Sequence, residues 1–120
     1  MSLKIIDVKD AGVLEKERVR IKVTADCNLN DYMVMDCTYD DAGQSSNKHR
    51  HVYFFPEKAV KKDEYVILYT CEGEDKTGAW SKQDKTATHR FYWGLETTVW
   101  NGNGDEALIL EYNIVDRKKV

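Results

Sequence analysis

Residues His89 to Leu110 read HRFYWGLETTVWNGNGDEALIL, and the rest of the chain is arranged around them. The stretch holds Trp93-Gly94 and Trp100. It also holds Asn101-Gly102-Asn103-Gly104-Asp105, a run of residues that tolerate positive φ or hydrogen-bond their own backbone. With Thr97-Thr98-Val99-Trp100 before it and Ala107 to Leu110 after it, this run predicts a tight connection between two antiparallel strands. Trp100 is too large to leave outside a small domain, so it is expected to close one end of the core. Further on, Asn113 is suited to a left-handed turn before a short last strand at Ile114 and Val115.

Upstream the pattern is also β. Lys4 to Val8 is a short strand candidate ended by Asp10-Ala11-Gly12. Arg18 to Thr24 alternates charged and β-branched residues, which places Val19, Ile21 and Val23 on a buried face. Tyr32 to Tyr39 and His49 to Phe55 are further strands, the second stopped by Pro56, the single proline. Tyr65 to Cys71 is the most apolar run and is expected to be central. Between these lie two long polar regions, Asp40 to Lys48 and Glu72 to Thr88, with Trp80 standing alone in the second. No ten-residue amphipathic helix and no internal repeat is present. The expected fold is all-β, an immunoglobulin-like β-sandwich of about seven antiparallel strands in one domain spanning residues 1–120.

Composition bounds the function. At 120 residues, 42% hydrophobic and 32% charged, the chain can bury a core without a disulfide or metal staple. No apolar run approaches the ~20 residues of a membrane helix, so membrane insertion is not expected. A net charge of −3 with both signs interspersed argues against strong non-specific attraction to nucleic acid. Cys27, Cys37 and Cys71 lack C-x-x-C spacing and read as reduced core thiols, with a Cys27–Cys37 or Cys37–Cys71 bridge as the alternative. The location follows the extent of the gene product: cytoplasmic if this is the full chain, extracellular or on the cell surface if it is an excised module.

The order Trp93-Gly94, Val99-Trp100-Asn101, a glycine-rich turn with Asp105, an apolar strand and Val115-Asp116 resembles the C-terminal half of the lamin-tail domain. Glu17 to Ile21 resembles the opening strand of that family, and Asn28 to Asp36 its next segment. Phe54-Phe55-Pro56 and Glu64 to Leu68 fall at its aromatic-proline step and its following strand. Tyr32 or Met33 stands where the family has Trp, Lys62-Asp63 replaces Pro-Gly, and Asn113 replaces Gly. The resemblance implies an immunoglobulin-like β-sandwich. Because some lamin tails are associated with DNA and chromatin, it also raises nucleic acid as a partner.

Few residues point to chemistry. His49 and His51, two apart on a strand, face the same way, and with Cys71, Asp40 or His89 they are a candidate zinc site; the plain alternative is a strand start beside Lys48 and Arg50. Asn101, Asn103 and Asp105 supply oxygens at alternate positions like the first half of a calcium loop, but Glu106 and Tyr112 then break the pattern. Ser45 and Ser46 lie near His49 without a nucleophile elbow, so no catalytic residue is assigned and the chain is read as not an enzyme. His49, Arg50, His51 and Tyr53 combine basic and aromatic groups as a binding surface. Trp80 is either anchored on the core or is a binding anchor. Trp93, Gly94, Trp100, Gly102 and Gly104 are assigned to turns and core. The function expected is a non-catalytic interaction module that binds another protein through loops or an exposed strand edge. A calcium-dependent surface module and a weak DNA-binding module are the alternatives, and a hydrolase ranks last. No cofactor is implied.

Overall fold

Arg18, Arg20 and Lys22 alternate with Val19, Ile21 and Val23, and the alternation becomes a strand whose three aliphatic side chains are fully buried. The computed structural model describes residues 2–38, 51–100 and 104–120. Among them are ten strands: β1 (Leu3–Lys9), β2 (Arg18–Val23), β3 (Cys27–Asn28), β4 (Tyr32–Thr38), β5 (Val52–Phe54), β6 (Ala59–Val60), β7 (Tyr65–Tyr69), β8 (Lys76–Ala79), β9 (Ala87–Tyr92) and β10 (Asp105–Glu111). The one described helical element is a 3-10 turn at Leu29–Asp31, so none of the described helices is long and apolar enough to cross a membrane.

The strands form a five-stranded sheet in the order β1-β2-β7-β9-β8, a three-stranded sheet in the order β10-β4-β5, and the small pair β3-β6. One core lies against both larger sheets: Val19, Ile21, Val66, Leu68 and Phe91 from the first, Tyr32 and Val34 from the second, closed by Leu29, Phe55, Val60 and Trp100. Phe55 and Phe91 meet edge to face at 5.3 Å. The all-β, sandwich-like expectation holds. So do the buried face of β2, the central place of the apolar run in β7, and Trp100 in the core.

Five expectations are corrected. The strands number ten rather than about seven, because β3 and β6 have two residues each and β8 (KTGA) carries no β-branched run. The pairing is not wholly antiparallel, since β7 and β9 run parallel. β9 and β10, the described strands before and after residues 101–103, which themselves lie outside the described residues, are in different sheets and do not form a hairpin with each other. Val99 and Trp100 are not in a strand; their N–H groups donate to the carboxylate of Glu17, at 2.9 and 3.4 Å, instead of to a ladder. Lastly, residues 112–120 hold no strand.

Glu17 is the polar hub of the fold. Its side chain is fully buried and accepts from Gly12 N at 3.0 Å, from the Thr70 hydroxyl, and from Val99 and Trp100. It thereby ties the turn before β2, the end of β7 and the segment leading to Trp100 into one unit. The turn after β9 depends on Gly94, whose φ of 81° is left-handed and whose N–H donates to Cys71 O at 3.1 Å. No atom lies within 4 Å of where a Cβ would sit. Gly94→Ala is therefore expected to cost about 1 to 2 kcal/mol from backbone conformation alone, read as a lower urea midpoint with unchanged slope. No change in midpoint would contradict that reading of the turn.

Candidate binding face

Because side chains alternate across a strand, register decides what shares the outer face of the five-stranded sheet. Arg20 pairs with Ile67, Ile67 with Arg90, and Arg90 with Lys76, giving one row across four strands. The row on one side runs Lys22, Tyr65, Thr88, Gly78; the row on the other runs Arg18, Tyr69, Tyr92. Across β1 the same rows continue as Lys4, Asp7 and Lys9. Thus Lys4, Lys9, Arg18, Arg20, Lys22, Lys76 and Arg90 share a face on which Asp7 is the one acidic strand residue, with Asp10 and Asp63 pairing to Arg18 and Lys22 from adjoining turns, in a chain whose net charge is −3. The positive charge is concentrated rather than interspersed.

Aromatic rings are interleaved with these cations. Tyr69 and Tyr92 stack at 5.0 Å and 10°, with the Arg18 guanidinium 6.0 Å from the Tyr69 centroid. Lys22 Nζ lies 4.9 Å from the Tyr65 ring. Trp80 is positioned by the β8–β9 hairpin, where Trp80 N donates to Thr86 O at 3.0 Å and Ser81 N to Asp84 O at 2.9 Å. Its ring meets Tyr65 at 4.2 Å and lies 5.3 Å from the Arg20 guanidinium. Trp80 is thus half-buried on the outer face, outside the core cluster.

Two clefts open here and share Arg90. One, ≈140 Å³, is lined by Arg18, Arg20, Ile67, Tyr69, Trp80 and Arg90. The other, ≈260 Å³, lies at the β8 edge and is lined by Lys58, Asp75, Lys76, Thr77, Arg90 and Phe91. Arg90 Nη2 donates to Ala79 O at 2.9 Å and to Trp80 O at 3.4 Å, and Arg90 joins no ion pair among the described residues. Arg18 and Arg20 are partnered, by Asp10 at 2.8 Å and by both oxygens of Asp7.

The Arg20 hydrogen bonds hold the Asp7 carboxyl below the usual carboxylate range. A depressed carboxyl stabilises the fold above its unfolded pKa of about 4, and that contribution is lost as pH falls through the lower folded value. Asp7→Asn should accordingly lower the melting temperature at neutral pH and match the parent once the pH lies below the depressed folded value of the Asp7 carboxyl. A difference that persists undiminished into acid would contradict the ion-pair account.

The residues singled out from sequence are distributed elsewhere. His51 and Tyr53 flank Trp93: His51 donates from its backbone N–H and ring Nδ1 to Asp36, at 2.7 and 3.2 Å, and its ring meets Trp93 at 6.1 Å. Tyr53 packs edge-on against Phe55 and Trp93, and burial pushes its phenol up to about 12. Trp93 in turn meets Trp100 at 6.5 Å. Gly104 has a left-handed φ of 87°. Asp105 begins β10 opposite Thr38. His49, Arg50, Asn101, Gly102 and Asn103 lie outside the described residues. Among the described residues no group of three or more His, Cys, Asp or Glu is arranged to hold a metal ion. Of the binding residues named from sequence that are among the described residues, Trp80 alone lies on the cationic face; the sequence reading does not single out Arg18, Arg20, Lys22 or Arg90. The alternation of Arg18 to Lys22 was the signal available for β2, and nothing local aligned it with Arg90.

No protein-family model, no curated protein and no solved structure matches the chain.

Proposed function

We propose that the chain is an interaction module, an immunoglobulin-like sandwich of the lamin-tail type, that binds an acidic, extended protein segment along strand β8 and the cationic face beside it. The observation that carries this reading is the row Arg20, Ile67, Arg90, Lys76, which ends at an edge strand. An edge strand offers unpaired backbone groups to an incoming strand, and alternate side chains of that strand would fall toward the clefts that Arg90 lines. The lamin-tail reading is supported by Asp63, whose φ of 74° is left-handed at the place where the family has glycine.

Nucleic acid is the second reading, favoured by the interleaving of cations with tyrosines on a sheet face. It ranks lower because Trp80, Tyr65, Tyr69 and Tyr92 are already engaged with one another and with Arg18, Arg20 and Lys22. The two readings separate in fluorescence anisotropy with two labelled probes, a peptide alternating glutamate with valine and a single-stranded oligothymidylate, each over a range of salt. The module reading expects tighter binding of the peptide, retained in part at physiological salt. Binding of the oligonucleotide alone would replace it with the second reading, and binding of neither would remove both.

A further inference from the structure

Beneath the β8 edge, Thr77, His89 and Glu64 form a series of hydrogen-bonded side chains. His89 of β9 is buried, and both ring nitrogens are engaged: Nδ1 lies 2.9 Å from Thr77 Oγ1 and Nε2 lies 3.0 Å from Glu64 Oε1. Glu64 also accepts from Lys61 N at 2.9 Å. Burial raises the Glu64 carboxyl, but the bonds from His89 and Lys61 outweigh it and leave it below the usual range, hence ionised. An ionised carboxylate can only accept, so in the neutral imidazole Nε2 carries the proton and Nδ1 is the acceptor for the Thr77 hydroxyl. This is a hydroxyl, base and orienting carboxylate in series.

The Thr77 end of the series is at the surface. Thr77 is exposed on β8 and lines the ≈260 Å³ cleft together with Lys58, Lys76 and Arg90. Three cations against one carboxylate, Asp75, suit a donor with a negative charge. Asp75 is itself held, accepting from Tyr92 N at 3.2 Å.

We propose that Thr77 is an activated hydroxyl that accepts an acyl group from an ester or thioester whose acyl portion carries a carboxylate. Thr77 Oγ1 attacks the carbonyl carbon, and its proton passes to His89 Nδ1. The new oxygen–carbon bond forms as the bond to the leaving group breaks, and the proton held by His89 goes to the departing oxygen or sulfur. Thr77 is the nucleophile, His89 the base, and Glu64 a positioning residue that acts through His89. The binding face stands independently of this step, since peptide binding is measured with no acyl donor present.

The test is incubation of the whole chain with the mono-p-nitrophenyl ester of succinic acid, reading p-nitrophenolate release and mapping adducts by mass spectrometry before and after hydroxylamine. A threonine ester is cleaved by hydroxylamine, whereas amides on Lys58 or Lys76 survive. The expected result is a hydroxylamine-labile succinyl group on Thr77, absent in Thr77→Ala, retained in Thr77→Ser, and formed about 100-fold more slowly in His89→Gln. Glu64→Gln should lower the acylation rate at saturating donor while leaving the donor concentration for half-saturation unchanged. Adducts on lysines alone, or equal labelling in a folded Thr77→Ala chain, would overturn the proposal.

Discussion

Glu17→Ala is expected to lower folding stability by about 3 to 5 kcal/mol, a fall in melting temperature of roughly 10 to 25 °C for a chain of this size. The carboxylate is fully buried and serves four donors, Gly12 N, the Thr70 hydroxyl, Val99 N and Trp100 N. Removing it leaves buried donors without acceptors, each at a cost of about 1 to 3 kcal/mol before relaxation. It also frees the segment that holds Trp100 in the core. Glu17→Gln keeps the shape but presents an amide N–H₂ where the backbone also donates, so it should retain about half of the stability lost in alanine. Chemical denaturation measures both variants. A loss below about 1 kcal/mol for Glu17→Ala would show that the hub does not hold these three segments together.

Arg90→Glu should weaken binding of the glutamate-valine peptide by about 100-fold or more at physiological salt while leaving the fold intact. Arg90 stands in the central row, borders both clefts and joins no ion pair among the described residues. Reversal therefore removes an available cation and sets a carboxylate against the incoming acid, a change of a few kcal/mol in a partly desolvated cleft. Arg90→Gln, which removes the charge alone, should lose less. The structural cost is limited to the hydrogen bonds to Ala79 O and Trp80 O, about 1 kcal/mol. Equal binding by Arg90→Glu and the parent chain, measured by calorimetry, would place the peptide elsewhere.

Much of the scaffold was legible in the sequence because it is encoded locally. Alternation in Arg18 to Val23 specifies a half-buried strand, and the apolar run Tyr65 to Leu68 specifies a central one, with two sheet neighbours to cover it. Other features are non-local and were not legible. Turn residues at 101–105 show that the chain changes direction, but not that the strands on either side belong to different sheets. Glu17 sits in a charged run, Glu15-Lys16-Glu17-Arg18, and only the folded chain brings Val99 and Trp100 to it. The binding face is a product of register: Arg20, Arg90 and Lys76 lie on three strands, and a slip of one residue in any pairing would turn its side chain to the opposite face. In the series Thr77, His89 and Glu64, the first two face each other across the β8–β9 hairpin, while Glu64 comes from just before β7 and meets His89 only in the folded chain. Trp80 stands out in the sequence because a tryptophan in a polar stretch is unusual, although the strand that presents it, β8, has no strong strand signal.

The most direct test of the binding account is a two-dimensional ¹⁵N–¹H titration of the labelled chain with the glutamate-valine peptide, followed by amide exchange of the complex. The account predicts shifts along Lys76 to Ala79 and at Arg20, Trp80 and Arg90, with slowed exchange of the β8 amides as an added strand pairs with them. Shifts confined to the three-stranded sheet, or binding that leaves the β8 amides exchanging as before, would contradict it.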